Sequence, residues 1–144
     1  MTLHKRQTYS RYLSTYLSLF IILVIFSFSL QSGDDSSLQS GWIVNLVFNL
    51  FTFLHLPTQG YPLALIIRKV AHFSEYFVLG LTLPQTTKEL NFPSLKYLVF
   101  IIPLLDESIQ FFTPGRVMSI FDMGIDSLGL IVGYHLASRI YKKT

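Results

Sequence analysis

The chain has 144 residues, of which 51% are apolar and only 13% charged, against roughly a quarter charged in a soluble domain. With a mean hydropathy of +0.48 and its apolar residues in blocks, this composition excludes an ordinary water-soluble domain and indicates one small polytopic membrane unit, 1–144. The lack of cysteine excludes disulfides and thiolate chemistry, and the net charge of +3 is assigned to membrane orientation rather than to nucleic acid.

Residues 1–11 form a basic lead-in containing His4, Lys5, Arg6 and Arg11. Tyr12–Leu30 carries no charge and is long enough to cross a bilayer. No small-x-small cleavage site follows it, so an uncleaved anchor is expected. Gln31–Gly41 is rich in Ser, Gly and Asp and predicts a solvated loop. Trp42–Leu56 is apolar except for Asn45, Asn49, Thr52 and His55, which share one helical stripe. Fifteen residues of helix reach only about 23 Å, short of the roughly 30 Å hydrocarbon core. An interfacial or re-entrant helix at about 42–56 is therefore expected, followed by a turn at Pro57, Gly60 and Pro62.

The second span is expected at 63–83, closed by Pro84 and a polar loop, and it holds Arg68, Lys69, His72 and Glu75. The third is expected at 95–112, where Pro103 frees the Val99 carbonyl and predicts a kink. The fourth is expected at 123–141. Four spans with cytoplasmic termini put Lys5, Arg6, Arg11, Lys88, Lys96, Arg139, Lys142 and Lys143 inside, eight of the eleven basic residues. The fold predicted is an all-α membrane protein, a four-helix bundle with an extra outer helix.

The three remaining bases, Arg68, Lys69 and Arg116, fall in one outward-facing layer with Glu75, Asp106, Glu107, Asp122, Asp126 and His72. Charges at that depth must pair, protonate or meet water or a ligand. Arg68, His72 and Glu75 share a helical face, as do Lys69, His72 and Tyr76, and either Asp106 or Glu107 shares one with Gln110. Asp122, Asp126, Gly129 and Gly133 form a stripe whose GxxxG lets another helix approach closely.

Three readings follow. A salt-bridge network would fix helix register. A ligand pocket would use Arg68, Lys69, Tyr76, Gln110, Arg116, Asp122 and Asp126 to hold a phosphate or carboxylate head group. Catalysis would use His72, Glu75, Asp106 and Glu107, with His72 as general base. A divalent metal on His72, Glu75 and the aspartates is a lesser reading, because no strong ligand signature appears, and no metal or cofactor is expected. His4, His55 and His135 are assigned to packing or polar faces. Neither a P-loop nor a GxGxxG is present.

Three ordered motifs carry a resemblance. They are Arg68-Lys69-x-Ala71-His72-Phe73-x-Glu75-Tyr76, then Asp106-Glu107-x-x-Gln110-x-Phe112-x-Pro114-Gly115-Arg116, then Asp122-x-x-x-Asp126-x-x-Gly129-x-x-x-Gly133. With Phe28-Ser29-x-Gln31-Ser32-Gly33-Asp34, they resemble the VanZ-like family over nearly the whole chain. Asp126 stands where many members look to have Asn. The resemblance implies a bacterial plasma-membrane protein of the cell envelope and a link to reduced susceptibility to glycopeptide antibiotics, teicoplanin in particular. Expected partners are membrane lipids and a lipid-linked cell-wall precursor, with room for a homo-oligomer. Three functions stand as expectations: a head-group binder, an intramembrane enzyme acting on a lipid-linked phosphate or pyrophosphate, and a proton-coupled transporter.

Overall fold

The computed structural model describes residues 12–55 and 62–141. The expected basic lead-in, the Pro57–Gly60 turn, Lys142 and Lys143 lie outside them. The described residues form six helices and no strand: α1 (Leu13–Ser29), α2 (Gly33–Phe53), α3 (Leu63–Glu89), α4 (Leu95–Leu98), α5 (Ile101–Phe112) and α6 (Ile120–Tyr141).

α1 is the uncharged run, and its N-terminal amides are closed from outside the helix. Both carboxylate oxygens of Glu89, at the far end of α3, accept from the Ser14 and Thr15 amides at 3.2 and 2.8 Å. A carboxylate there also answers the positive end of the helix dipole. Further along the same contact, the Ser18 hydroxyl bonds those of Thr82 and Thr86 at 2.6 and 2.9 Å. Such links hold apolar helices together where burial in lipid gives no net drive to pair.

Three expectations need correction. Gln31–Gly41 is not a solvated loop, because α2 begins at Gly33 rather than near Trp42. Ser32 is its N-cap, accepting from the Asp35 amide at 3.1 Å, and Asp34 and Asp35 occupy the first turn. The helix is thus about 32 Å long, turns by 107° from α1, and stops where His55 takes a left-handed φ of 56°.

Pro84 does not close the second span: α3 runs through it to Glu89. Local carbonyls there are served by hydroxyls, with Thr82 and Thr87 donating to Leu79 and Pro84 at 2.7 and 2.8 Å.

The third expected span is broken rather than kinked. α4 ends at Leu98, and the Val99 carbonyl, which Pro103 cannot serve, accepts from the Ile102 amide at 3.0 Å before α5 begins.

The core is Ile25, Tyr76, Leu79, Leu83, Val99 and Leu130, contributed by α1, α3, α6 and the α4–α5 turn. The most extensive contact joins α3 to α6. A Cβ on Gly133 would stand 2.2 Å from the Phe77 carbonyl oxygen, and one on Gly129 2.5 Å from that of Phe73. From the other side, a Cβ on Gly80 would meet the Leu130 oxygen at 2.5 Å. The expected GxxxG stripe therefore packs against α3, backbone on backbone.

Leu19, Phe20 and Leu23 on α1, Leu104 and Phe111 on α5, and Leu128, Val132 and Leu136 on α6 all point outward and are exposed. α6 alone among the described helices is both long and apolar enough to cross a bilayer, and α1 and α2 pass that test as one bent pair. α3 has the length, at about 40 Å, but carries Arg68, Lys69, Glu75, Lys88 and Glu89. The break before Ile101 leaves α5 too short.

Candidate functional site

The two expected clusters meet where α3, α5 and α6 converge below the α1–α2 turn, but they separate into three groups. The first lines a cavity of about 520 Å³. Arg68, His72, Glu75, Gln110 and Arg116 supply its polar wall, and Phe28, Trp42, Ile43 and Ile67 an apolar one. Arg68, Ala71, His72 and Glu75 recur at three- and four-residue intervals, so one face of α3 presents them all. Arg68 is exposed and makes no ion pair among the described residues.

Arg116 is more committed than the sequence suggests. Its Nη2 donates to the Phe28 carbonyl at 3.1 Å, its Nε to that of Gln31 at 3.3 Å, and its Nη1 to the Gln110 side chain at 3.4 Å. The Thr113 hydroxyl donates to the Ser29 carbonyl at 3.1 Å, and the Gly33 amide to that of Pro114 at 3.0 Å. The Thr-Pro-Gly-Arg loop is thus a clasp over the C-terminal end of α1, whose last carbonyls have no partner within the helix. Gly115 makes the turn at φ 73°. Burial lowers the Arg116 pKa from its ordinary value, and the like charge of Arg68 adds to this while Asp106 and Glu75 oppose it. The guanidinium stays charged throughout the physiological range.

The second group is enclosed behind the cavity wall. Asp106, Glu107 and Asp126 are 1%, 0% and 0% exposed. Asp106 accepts from the Ser29 hydroxyl and from the Gln110 amide, and the buried Tyr76 hydroxyl lies beside it. His72 Nδ1 is 3.3 Å from Asp126 Oδ1, yet neither atom completes a hydrogen bond, and Asp126 Oδ2 also has no partner. Glu107 faces elsewhere and accepts from the Ser119 amide at 2.6 Å, ahead of α6. The third group is a single ion pair, Lys69 with Asp122, tying α3 to the start of α6.

Not all ten charged and polar candidates share one cavity wall, then, because the helical faces diverge. Lys69 and Asp122 point along the α3–α6 seam, and Glu107 reaches the α6 entry. Asp106 and Asp126 sit behind His72. Arg68 lines the cavity together with Gln110, whose side-chain amide donates to Asp106. Ser29, which the resemblance motif includes without a role, donates its hydroxyl to Asp106, and Ser119, which no motif includes, donates its backbone amide to Glu107. A backbone donor of that kind leaves no signal in the sequence.

A protein-family model described as VanZ/LLP1 matches residues 14–141. The chain belongs to the VanZ/LLP1 family. No individual curated protein and no solved structure matches it. Family membership, together with an α6 that is long and apolar enough to cross a bilayer, assigns it to the membrane. The matched region takes in the six described helices except for Leu13, so the cavity and the enclosed carboxylates belong to the VanZ/LLP1 domain itself.

Proposed function

We propose that this VanZ/LLP1 protein is a four-span protein of the bacterial plasma membrane, with cytoplasmic termini, that binds the anionic head group of a lipid or lipid-linked cell-wall precursor in an outward-facing cavity. The spans are α1, α3, α4–α5 taken together, and α6, with α2 lying across the outer end. Eight of the eleven basic residues then fall on the inner side, and the cavity opens on the other.

One observation carries the reading. Arg68, without an ion-pair partner among the described residues, shares with Arg116 a cavity that His72, Glu75 and Gln110 also line and whose apolar wall is Phe28, Trp42, Ile43 and Ile67. Two guanidiniums beside an apolar surface match an amphiphile, with the phosphate on the arginines and the chain against the aromatic side. Mass spectrometry of lipids that co-purify in mild detergent tests this. A phosphorylated lipid is expected with the native protein and strongly depleted in Arg68→Gln. Its consistent absence from the native protein overturns the reading. Sequestering a surface precursor would also lower teicoplanin susceptibility, which expression in a sensitive host measures as a raised inhibitory concentration.

A second reading, hydrolysis of a lipid-linked phosphate or pyrophosphate, is favoured by a single feature. His72 is on the cavity wall with the Asp126 carboxylate 3.3 Å behind it, the arrangement that orients a general base. Phosphate release from a polyprenyl pyrophosphate, lost in His72→Ala while lipid binding persists, would favour the enzyme over the binder.

A further inference from the structure

We propose that His72, Asp106 and Asp126 form a binding site for one borderline divalent cation, of the Zn²⁺ or Mn²⁺ class, at the floor of the cavity. One ligand atom from each of the three lies within 4.8 Å of the other two, although the residues come from three separate helices, α3, α5 and α6. A tetrahedral ion with bonds of about 2.0–2.1 Å places its ligands about 3.3 Å apart. The His72 Nδ1 to Asp126 Oδ1 separation is 3.3 Å.

Asp126 points to a ligand independently of this clustering. Its side chain is fully buried, and both its oxygens are without a hydrogen-bond partner. A buried carboxylate with nothing to accept from is among the costliest arrangements a helix bundle can hold. A dication between Asp126 and Asp106 would satisfy both and leave the pair neutral. Asp106, by contrast, already has the outer partners that orient a metal-binding carboxylate, the Ser29 hydroxyl and the Gln110 amide.

The donor set selects the ion. One imidazole nitrogen and two carboxylates suit Zn²⁺, Mn²⁺ or Fe²⁺, whereas Ca²⁺ takes six to eight oxygens and Mg²⁺ keeps most of its water. Three protein ligands leave a further coordination position open, as reactive rather than structural zinc sites do. Because His72 also lines the cavity, both the route in for the ion and its open position face that side. The site does not depend on the head-group reading, since its ligands are complete without Arg68 or Arg116.

The test is metal analysis of the detergent-purified protein after chelation and reloading with Zn²⁺, Mn²⁺ or Co²⁺, each alone. About one ion per chain is expected, together with a Co²⁺ visible spectrum showing nitrogen–oxygen coordination. Asp126→Asn should weaken binding at least about tenfold, His72→Gln likewise, and Asp34→Asn on the exposed first turn of α2 should change nothing. Size-exclusion profiles and melting curves check that each variant is folded. If Asp126→Asn does not fold, His72→Gln and Asp106→Asn decide the matter, and if none of the three folds, the native stoichiometry and spectrum decide it. No stoichiometric ion in the native protein, or unchanged binding in the folded variants, overturns the proposal in favour of an imidazolium–carboxylate contact without metal.

Discussion

The two long sides of α3 solve opposite problems. Toward α6, Gly80 lies against Leu130 and Gly133, and Gly129 against Phe73, so closely that none of the three glycines could carry a methyl group, and Leu79 and Tyr76 fill what remains. Toward α1 and α2, the same helix shows Arg68, Ala71 and Glu75 to a cavity of about 520 Å³. One side gains its energy from close backbone contact and tolerates no added volume. The other is held open by residues that could not pack together, and the enclosed His72 and Asp126 lie at the boundary between them. One helix can therefore serve at once as a rigid seam and as the wall of a site, provided that small and charged residues are kept on different faces.

Substitutions on each side should break this contrast unequally. Gly133→Leu should have the largest effect, a loss of more than about 4 kcal/mol that abolishes the folded state, seen as aggregation on size exclusion. Arg116→Ala should come next. It removes the Arg116 donor to the Gln31 carbonyl and leaves the Phe28 carbonyl with the Gln31 amide alone, costing about 2 kcal/mol, read from thermal unfolding in detergent. Arg68→Gln, on the open side, should reduce anionic-lipid binding about tenfold, roughly 1.4 kcal/mol, while moving stability by no more than about 0.5 kcal/mol. A larger stability loss there would show that the cavity wall is structural. Glu89→Gln, at the α1 entry, should cost about 1 kcal/mol, visible as faster hydrogen exchange at the Ser14 and Thr15 amides.

Part of this is legible in the residues. The charged residues of 68–76 and 106–126 stand out in an apolar chain, and Arg68 and Arg116 do line one cavity, while the Gly129–Gly133 spacing announces a close approach. The α2 boundary is ambiguous in sequence because Ser, Gly and Asp form loops, yet Ser32 followed by Asp34 and Asp35 is also an N-cap with an acidic first turn. Pro84 reads as a stop because it forfeits one helical hydrogen bond, but the packing of α3 on α1 and α6 carries the helix through it. The division of the charged layer into cavity wall, enclosed carboxylates and ion pair was beyond the sequence. Helical periodicity gives the face a residue occupies, but not which neighbouring helix that face meets.

The clasp above α1 has a consequence for the order of assembly. Thr113 reaches Ser29 across 84 positions, and Arg116 reaches Gln31 and Phe28 across 85 and 88. The turn between the first two helices therefore emerges during synthesis long before the residues that secure it. Until the Thr-Pro-Gly-Arg loop arrives, the Ser29 and Gln31 carbonyls lack the donors it supplies, and the Gly33 amide lacks the Pro114 carbonyl. The roof of the cavity is consequently among the last parts of the molecule to close, although it is built from residues made well before the clasp.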